Sequence, residues 1–142
     1  MENKPSIENN FNIFSCLTTK KNTFYLPIDS TVRQALEKMD FHRYSVIPLL
    51  SKKGEYLTTI SEGDLLRFLK NNAGFDIKKA EDTYVIDVEK YRPYRSIKND
   101  ASLEEIIELI INQNFIPVVD DRNIFIGIIK RSSIIKFLST NI

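Results

Sequence analysis

Apolar residues along this chain follow two alternating rhythms, and the whole series of rhythms occurs twice. Val32, Ala35, Leu36 and Met39 keep the i, i+3, i+4, i+7 spacing of one helical face, as do Leu103, Ile106, Ile107 and Ile110. Each stripe opens with a capping-box pattern, Thr31…Gln34 and Ser102…Glu105, in which side chain and backbone satisfy each other's free groups. A short strand is predicted after each helix, Tyr44–Leu50 and Phe115–Val119, then a polar turn over Ser51–Glu55 and Asp120–Asn123. Second strands over Tyr56–Ile60 and Ile124–Ile129 lead into closing helices, from about Glu62 to Lys70 and from about Arg131 to Leu138. Brief extended pieces, Phe24–Ile28 and Tyr94–Lys98, precede the first helices. The predicted unit is β-α-β-β-α, used twice.

The copies also match residue by residue. Positions 47–69 align without a gap on 116–138, pairing Ile47 with Ile116, Pro48 with Pro117, Ile60 with Ile129, Phe68 with Phe137 and Leu69 with Leu138. Such self-similarity means two copies of one structural unit, and any site between copies comes in pseudo-symmetric pairs. The expected organisation is a tail and leading segment over 1–16, a first repeat over 17–70, a linker with a helix from Ile77 over 71–90, and a second repeat over 91–142. Residues 1–10 read as a polar, poorly ordered tail, a loop is expected at Asn71–Gly74, and Ile13, Phe14 and Leu17 are expected to pack on the core. A unit of about fifty residues buries little core alone. The expected solution is a mixed α/β fold in which the two repeats pack through their sheets, helices outside, leaving two clefts related by a pseudo-twofold axis.

Composition narrows the function class. A net charge of +1 on 142 residues gives no global basic field for nucleic acid and no acidic excess for disorder. The N-terminal MENKPSIENN lacks the apolar stretch of a signal peptide, and the apolar runs are too short to span a bilayer. The single cysteine, Cys16, fits a reducing compartment, so a soluble cytoplasmic protein is expected. There is neither a Cys/His cluster for zinc nor a Gly-rich phosphate loop, and no metal is expected. Cys16 reads as a small apolar residue, and His42, the only histidine, as a surface or helix-capping residue.

A twice-used β-α-β-β-α unit with Ile-Pro on its middle strand resembles a CBS-domain pair, or Bateman module, from about Leu17 to Leu138. In that family a motif of the form Gly-x-apolar-Ser/Thr-x-x-Asp joins the last strand to the last helix. The first copy reads Thr58-Thr59-Ile60-Ser61-Glu62-Gly63-Asp64, keeping Ser61 and Asp64 but not the glycine. The second reads Gly127-Ile128-Ile129-Lys130-Arg131-Ser132-Ser133, keeping the glycine but replacing the Ser/Thr and the Asp. Among such pairs the chain looks closest to small stand-alone bacterial proteins that bind cyclic di-AMP, although members of that subgroup often carry an arginine where this chain has Ser132.

The resemblance implies clefts built crosswise. One would use Lys21, Asn22 and Phe24, strand residues Tyr44, Ser45 and Val46, and Lys130, Arg131 and Ser133. The other would use Arg92, Tyr94 and Arg95 with Phe115, Ile116 and Pro117, facing Ser61 and Asp64. Arg131 can fork a phosphate while Lys130 or Lys21 adds a less directional charge, and the last helix offers its N-terminal N–H groups. Phe24 or Tyr44 can cover an adenine face, and Asp64 can accept from ribose hydroxyls. Plainer roles compete: Ser61…Asp64 as a helix cap, Lys130-Arg131 as a solvated helix start, and Tyr44 and Phe115 as corresponding core residues. The function expected is a non-enzymatic regulatory sensor, a homodimer that binds cyclic di-AMP and modulates a partner protein. The alternatives are an AMP/ATP energy sensor, a ligand-free dimerisation module, and a small enzyme using Cys16 or His42.

Overall fold

The predicted order of strands and helices is realised in a computed structural model that describes residues 11–72, 74 and 76–141. The tail expected over residues 1–10 lies outside the described residues. The chain divides into two compact units, one continuous (Phe24–Tyr94) and one split (Met1–Thr23 with Arg95–Ile142).

In the continuous unit, β2 (Leu26–Pro27) leads to α2 (Val32–His42), β3 (Val46–Leu50), β4 (Tyr56–Ser61), α3 (Glu62–Asn71) and α4 (Ile77–Asp82). Strand order is β2-β3-β4, with β2 parallel to β3 and β3 antiparallel to β4. Helix α2 begins with the full expected capping box, Thr31 and Gln34 each accepting the other's main-chain N–H. It ends at Arg43, whose φ of 60° turns the chain left-handed while Tyr44 N–H reaches back to the Met39 carbonyl and Arg43 N–H to that of Asp40. This Schellman-type stop places Tyr44 and Ser45 ahead of the strand predicted to contain them. Asn71, expected in a loop, is the last residue of α3. Val32, Ala35 and Met39 meet Ile47, Ile60 and Leu65 in a buried cluster, with Leu36 packed at its edge, so the helical stripe and the alternating strands face one core.

In the split unit, α1 (Ile13–Cys16) and β1 (Leu17–Thr19) precede a 3₁₀ turn over Lys20–Asn22, and the chain returns as β5 (Ile97–Lys98), α5 (Leu103–Ile110), β6 (Phe115–Val119), β7 (Phe125–Lys130) and α6 (Arg131–Thr140). Strand order is β1-β7-β6-β5. The segment numbered with the first repeat thus completes the second repeat's sheet, through antiparallel β1–β7 pairs such as Leu17 with Ile129 and Thr19 with Gly127. Ile13 and Cys16, three apart on α1, enter the core beside Ile116 and Ile134. Phe14, expected to pack there, is 57% exposed because the same turn points it outward. The second capping box is half formed: Ser102 Oγ accepts from Glu105 N–H, without the reciprocal bond.

The two hairpins are close copies. Each has a register shift at its distal end, between Leu49 and Leu50 and between Val118 and Val119. Each turn needs a left-handed residue, Gly54 at φ 87° and Asn123 at φ 66°, the residue types that tolerate that region. Asp120 Oδ1 accepts from the main-chain N–H of Arg122 and Ile124, the polar turn expected at Asp120-Asp121.

Candidate functional site

The motif residues lie where the last strand of each unit enters its last helix. The backbone there is alike in both. Glu62 N–H donates to the Ser45 carbonyl at 2.9 Å, and Arg131 N–H to that of Asn114 at 3.1 Å, so each closing helix is pinned to the residue ahead of the middle strand.

Side chains make the two junctions different. At the β4–α3 junction, Ser61 Oγ accepts from Asp64 N–H and Asp64 Oδ2 from Ser61 N–H, both at 3.0 Å. The remaining oxygen, Oδ1, accepts from Arg67 at 2.7 Å and from Tyr91 N–H at 3.0 Å. Asp64 is only 3% exposed, and its carboxylate is fully engaged within its own unit. The Arg67 guanidinium also lies 5.1 Å from the centre of the Tyr91 ring, and Arg92 5.3 Å from the same ring. Asp64, Arg67, Phe68, Asn71, Val88 and Tyr91 help line a cavity of about 150 Å³ here.

The segment leading to Tyr94 is fastened alongside by two more bonds. Tyr94 N–H donates to Thr59 Oγ1 at 2.8 Å, and the Tyr56 hydroxyl donates to the Tyr94 carbonyl. Burial pushes the Tyr56 hydroxyl above its ordinary value of 10.0, opposed by its hydrogen bond with Thr59. Lys90 donates to the Val85 and Ile86 carbonyls; burial lowers its pKa, against the attraction of Asp64 and Asp87.

At the β7–α6 junction, exposed Lys130 is the N-cap residue and supplies no side-chain cap. Arg131, expected to fork a phosphate, reaches back instead to the end of α5. Its Nε donates to the Ile110 carbonyl and a terminal nitrogen to that of Gln113, each at 3.0 Å. A cation at the negative end of α5 is favourably placed, which offsets the adverse position of Arg131 at the start of α6. Half-buried Ser133 stands where Asp64 stands in the other copy.

The positions ahead of the middle strands diverge as well. Phe115 pairs with Lys130 and Val46 with Ser61, so Phe115 corresponds to Val46, not to Tyr44 as the sequence suggested. The counterpart of Tyr44 is Gln113, 7% exposed. Its amide oxygen accepts from Arg95 N–H at 2.8 Å, and its amide nitrogen donates to the Arg95 and Phe115 carbonyls at 3.1 and 3.2 Å. At the same level of the continuous unit, Phe24 stacks on His42 with ring centres 3.7 Å apart, and Tyr44 lies 5.4 Å from Phe24.

The residues of the first expected cleft therefore divide, Lys21, Asn22, Lys130, Arg131 and Ser133 to the split unit and Phe24, Tyr44, Ser45 and Val46 to the continuous one. Those of the second divide likewise, Ser61, Asp64, Arg92 and Tyr94 to the continuous unit and Arg95, Phe115, Ile116 and Pro117 to the split one. Ile116 and Pro117 are buried strand residues, and Phe115 is half-buried. The sequence reading missed Gln113, Arg67, Thr59 and Tyr91. Arg67 had a visible signal, three residues after Asp64 on a predicted helix. The others act through loop contacts that carry no periodicity. Among the described residues, no group of three or more His, Cys, Asp or Glu side chains is placed to hold a metal ion, and no helix is long and apolar enough to cross a membrane.

The family model of the CBS domain matches residues 16–71 and again 86–140. The chain belongs to the CBS-domain family. CBS domains are in general regulatory binding modules, and no catalytic family is indicated. Solved structures share this fold across nearly the whole chain. CbpB from Streptococcus agalactiae superimposes with a TM-score of 0.81 at 21% identity, over 99% of this chain and 89% of its own. CbpB from Listeria monocytogenes in complex with c-di-AMP gives 0.78 at 23% identity, over 90% and 95%. CBSX2 in complex with AMP gives 0.73 at 21% identity, over 92% and 97%. No curated protein matches the sequence significantly.

Proposed function

We propose that this CBS-domain pair is a non-enzymatic sensor that binds an adenine nucleotide, cyclic di-AMP first, and thereby alters its affinity for a partner protein. The observation that carries the reading is the start of α6. It is a ten-residue helix with no side-chain cap, an exposed Lys130 at its N-cap and Arg131 beside it, in a fold whose solved examples hold adenine nucleotides. N-terminal N–H groups without a side-chain acceptor, next to cationic side chains, suit a phosphate. In this reading Lys130 and Lys21 supply charge, and Arg131 holds the junction in shape while offering its remaining nitrogen. Phe24 and Tyr44 provide aromatic surface for the base. Regulation requires that the partner prefer either the filled or the empty form. A homodimer working in the cytoplasm is part of the same proposal.

A second reading, AMP or ATP as the ligand, is favoured by the AMP-bound neighbour. Titration calorimetry with cyclic di-AMP, AMP and ATP separates the two, with gel filtration reporting the oligomer. Heat from cyclic di-AMP that weakens in Lys130→Ala is the expected result. Binding of AMP without the cyclic dinucleotide reverses the order, and no binding of any of the three leaves a structural module.

A further inference from the structure

Four aromatic rings gather where α2 ends in the continuous unit. His42 is the last residue of that helix, and the left-handed Arg43 turns the chain so that Tyr44 comes back beside it. The imidazole lies nearly parallel to Phe24, with centres 3.7 Å apart and planes 23° apart. Phe41 meets the imidazole edge-on at 4.8 Å, and Tyr44 lies 6.1 Å away. His42 is half-buried and its imidazole makes no hydrogen bond within the described residues, so ring packing is what holds it. One face of Phe24 is covered by the imidazole, yet Phe24 is 39% exposed, so its accessible surface lies on the other face and the edge.

The fold itself does not require this cluster. Leu26 and Ile97 take matching places in their sheets, which makes Arg95 the counterpart of Phe24. Extending the β3 and β6 registers back by two residues makes Gln113 the counterpart of Tyr44. The split unit passes from α5 to β6 in another way, ending its helix without a left-handed residue and clamping the connection through the Gln113 amide, and residues 111–114 hold no ring. A stack present in one copy only, with an accessible aromatic face, serves something other than the scaffold.

We infer that His42 is a positioning residue for the base of the bound nucleotide: its imidazole backs the Phe24 ring and holds it flat as a stacking surface. The inference rests on the adenine-nucleotide reading above. A phenylalanine without backing rotates about two torsions, and fixing it beforehand removes an entropic cost from binding. Histidine suits the position because its flat ring stacks while its nitrogens stay wet at a half-exposed site.

The test is a double-mutant cycle on the full chain, with binding of cyclic di-AMP and AMP by calorimetry and folding by circular dichroism melts. His42→Ala weakens binding by about 2- to 12-fold, the range an aromatic pair supports. His42→Phe, which keeps a flat ring behind Phe24, stays within about twofold of wild type. In a Phe24→Ala background His42→Ala has no further effect, a result that general loss of stability does not produce. The inference is overturned if His42→Ala binds as wild type, if its loss persists without Phe24, or if His42→Phe is as weak as His42→Ala. A wild-type protein that binds neither nucleotide overturns the nucleotide reading and this inference with it, whereas failure in the variants alone leaves that reading standing.

Discussion

The junction between β4 and α3 and the junction between β7 and α6 share a backbone and differ in what their side chains leave available. In the first, Ser61, Asp64, Arg67 and Tyr91 saturate one another, and the buried carboxylate has three partners. In the second, the cap position holds a lysine without a capping bond, and the arginine beside it stabilises a neighbouring helix end. One copy of the motif has become a closed structural joint, while the other keeps an uncapped cationic helix start. Duplication supplied the geometry twice, and the side chains then specialised each copy.

The sharpest way to break this comparison is the glycine that only one copy retains. Gly127 has φ 153°, and a Cβ there would meet the Thr18 carbonyl oxygen at 2.2 Å, because β1 pairs across it. Gly127→Ala is expected to destabilise by about 3–5 kcal/mol from strain and overpacking together, and Thr58→Ala by less than about 1 kcal/mol. Equal losses in urea unfolding would show that the strand edges are alike after all.

Next comes the motif carboxylate. Asp64→Ala strands Ser61 N–H, Tyr91 N–H and part of Arg67, and is expected to cost about 3 kcal/mol, whereas Ser133→Ala stays within about 0.5 kcal/mol. Arg131→Ala loses two charge-assisted bonds to main-chain carbonyls, about 2 kcal/mol. Its melting temperature should therefore fall before any nucleotide is added, which means that loss of binding in this variant needs a melt beside it. Lys130→Ser supplies the missing cap and removes an adverse charge, so it should stabilise by about 1 kcal/mol while weakening nucleotide binding. A stabler protein with unchanged affinity would remove Lys130 from the site.

The smallest expected effect is one of pH. Burial raises the pKa of Tyr56, so the folded state keeps a proton that the unfolded chain releases near pH 10. The native form is then favoured below that pH and loses stability as pH rises beyond it. Tyr56→Phe should flatten this alkaline slope. Lys38 and Lys90, both lowered by burial, act in the opposite sense near their own titration but are common to both proteins, so the difference isolates Tyr56. An unchanged slope would mean that Tyr56 is not shielded as described.

Much of this was legible in sequence because periodicity reports burial. The stripe through Val32, Ala35 and Met39 and the repeated Ile-Pro strands located the helices, the hairpins and the two cores. The capping box at Thr31 was equally readable, being local. Residues whose role depends on a partner far along the chain were not. Arg131 read as a phosphate ligand because nothing local shows that the Ile110 carbonyl lies within its reach. Gln113 carried no signal, since its bonds go to the main chain of Arg95. Phe14 was assigned to the wrong face of α1 and Phe115 was matched two strand residues out of register, errors that hydrophobicity alone cannot correct.

The pairing of β1 with β7 also shapes how the chain folds as it is made. Leu17 waits for Ile129, a partner over a hundred residues later, so a strand made before both repeats' hairpins is among the last to be satisfied. Until then β1 is an unpaired edge and the buried side of α1 has nothing to cover it. Such distant closure slows folding and makes it cooperative. Removing residues 11–23 should therefore leave β7 as an open strand edge prone to self-association.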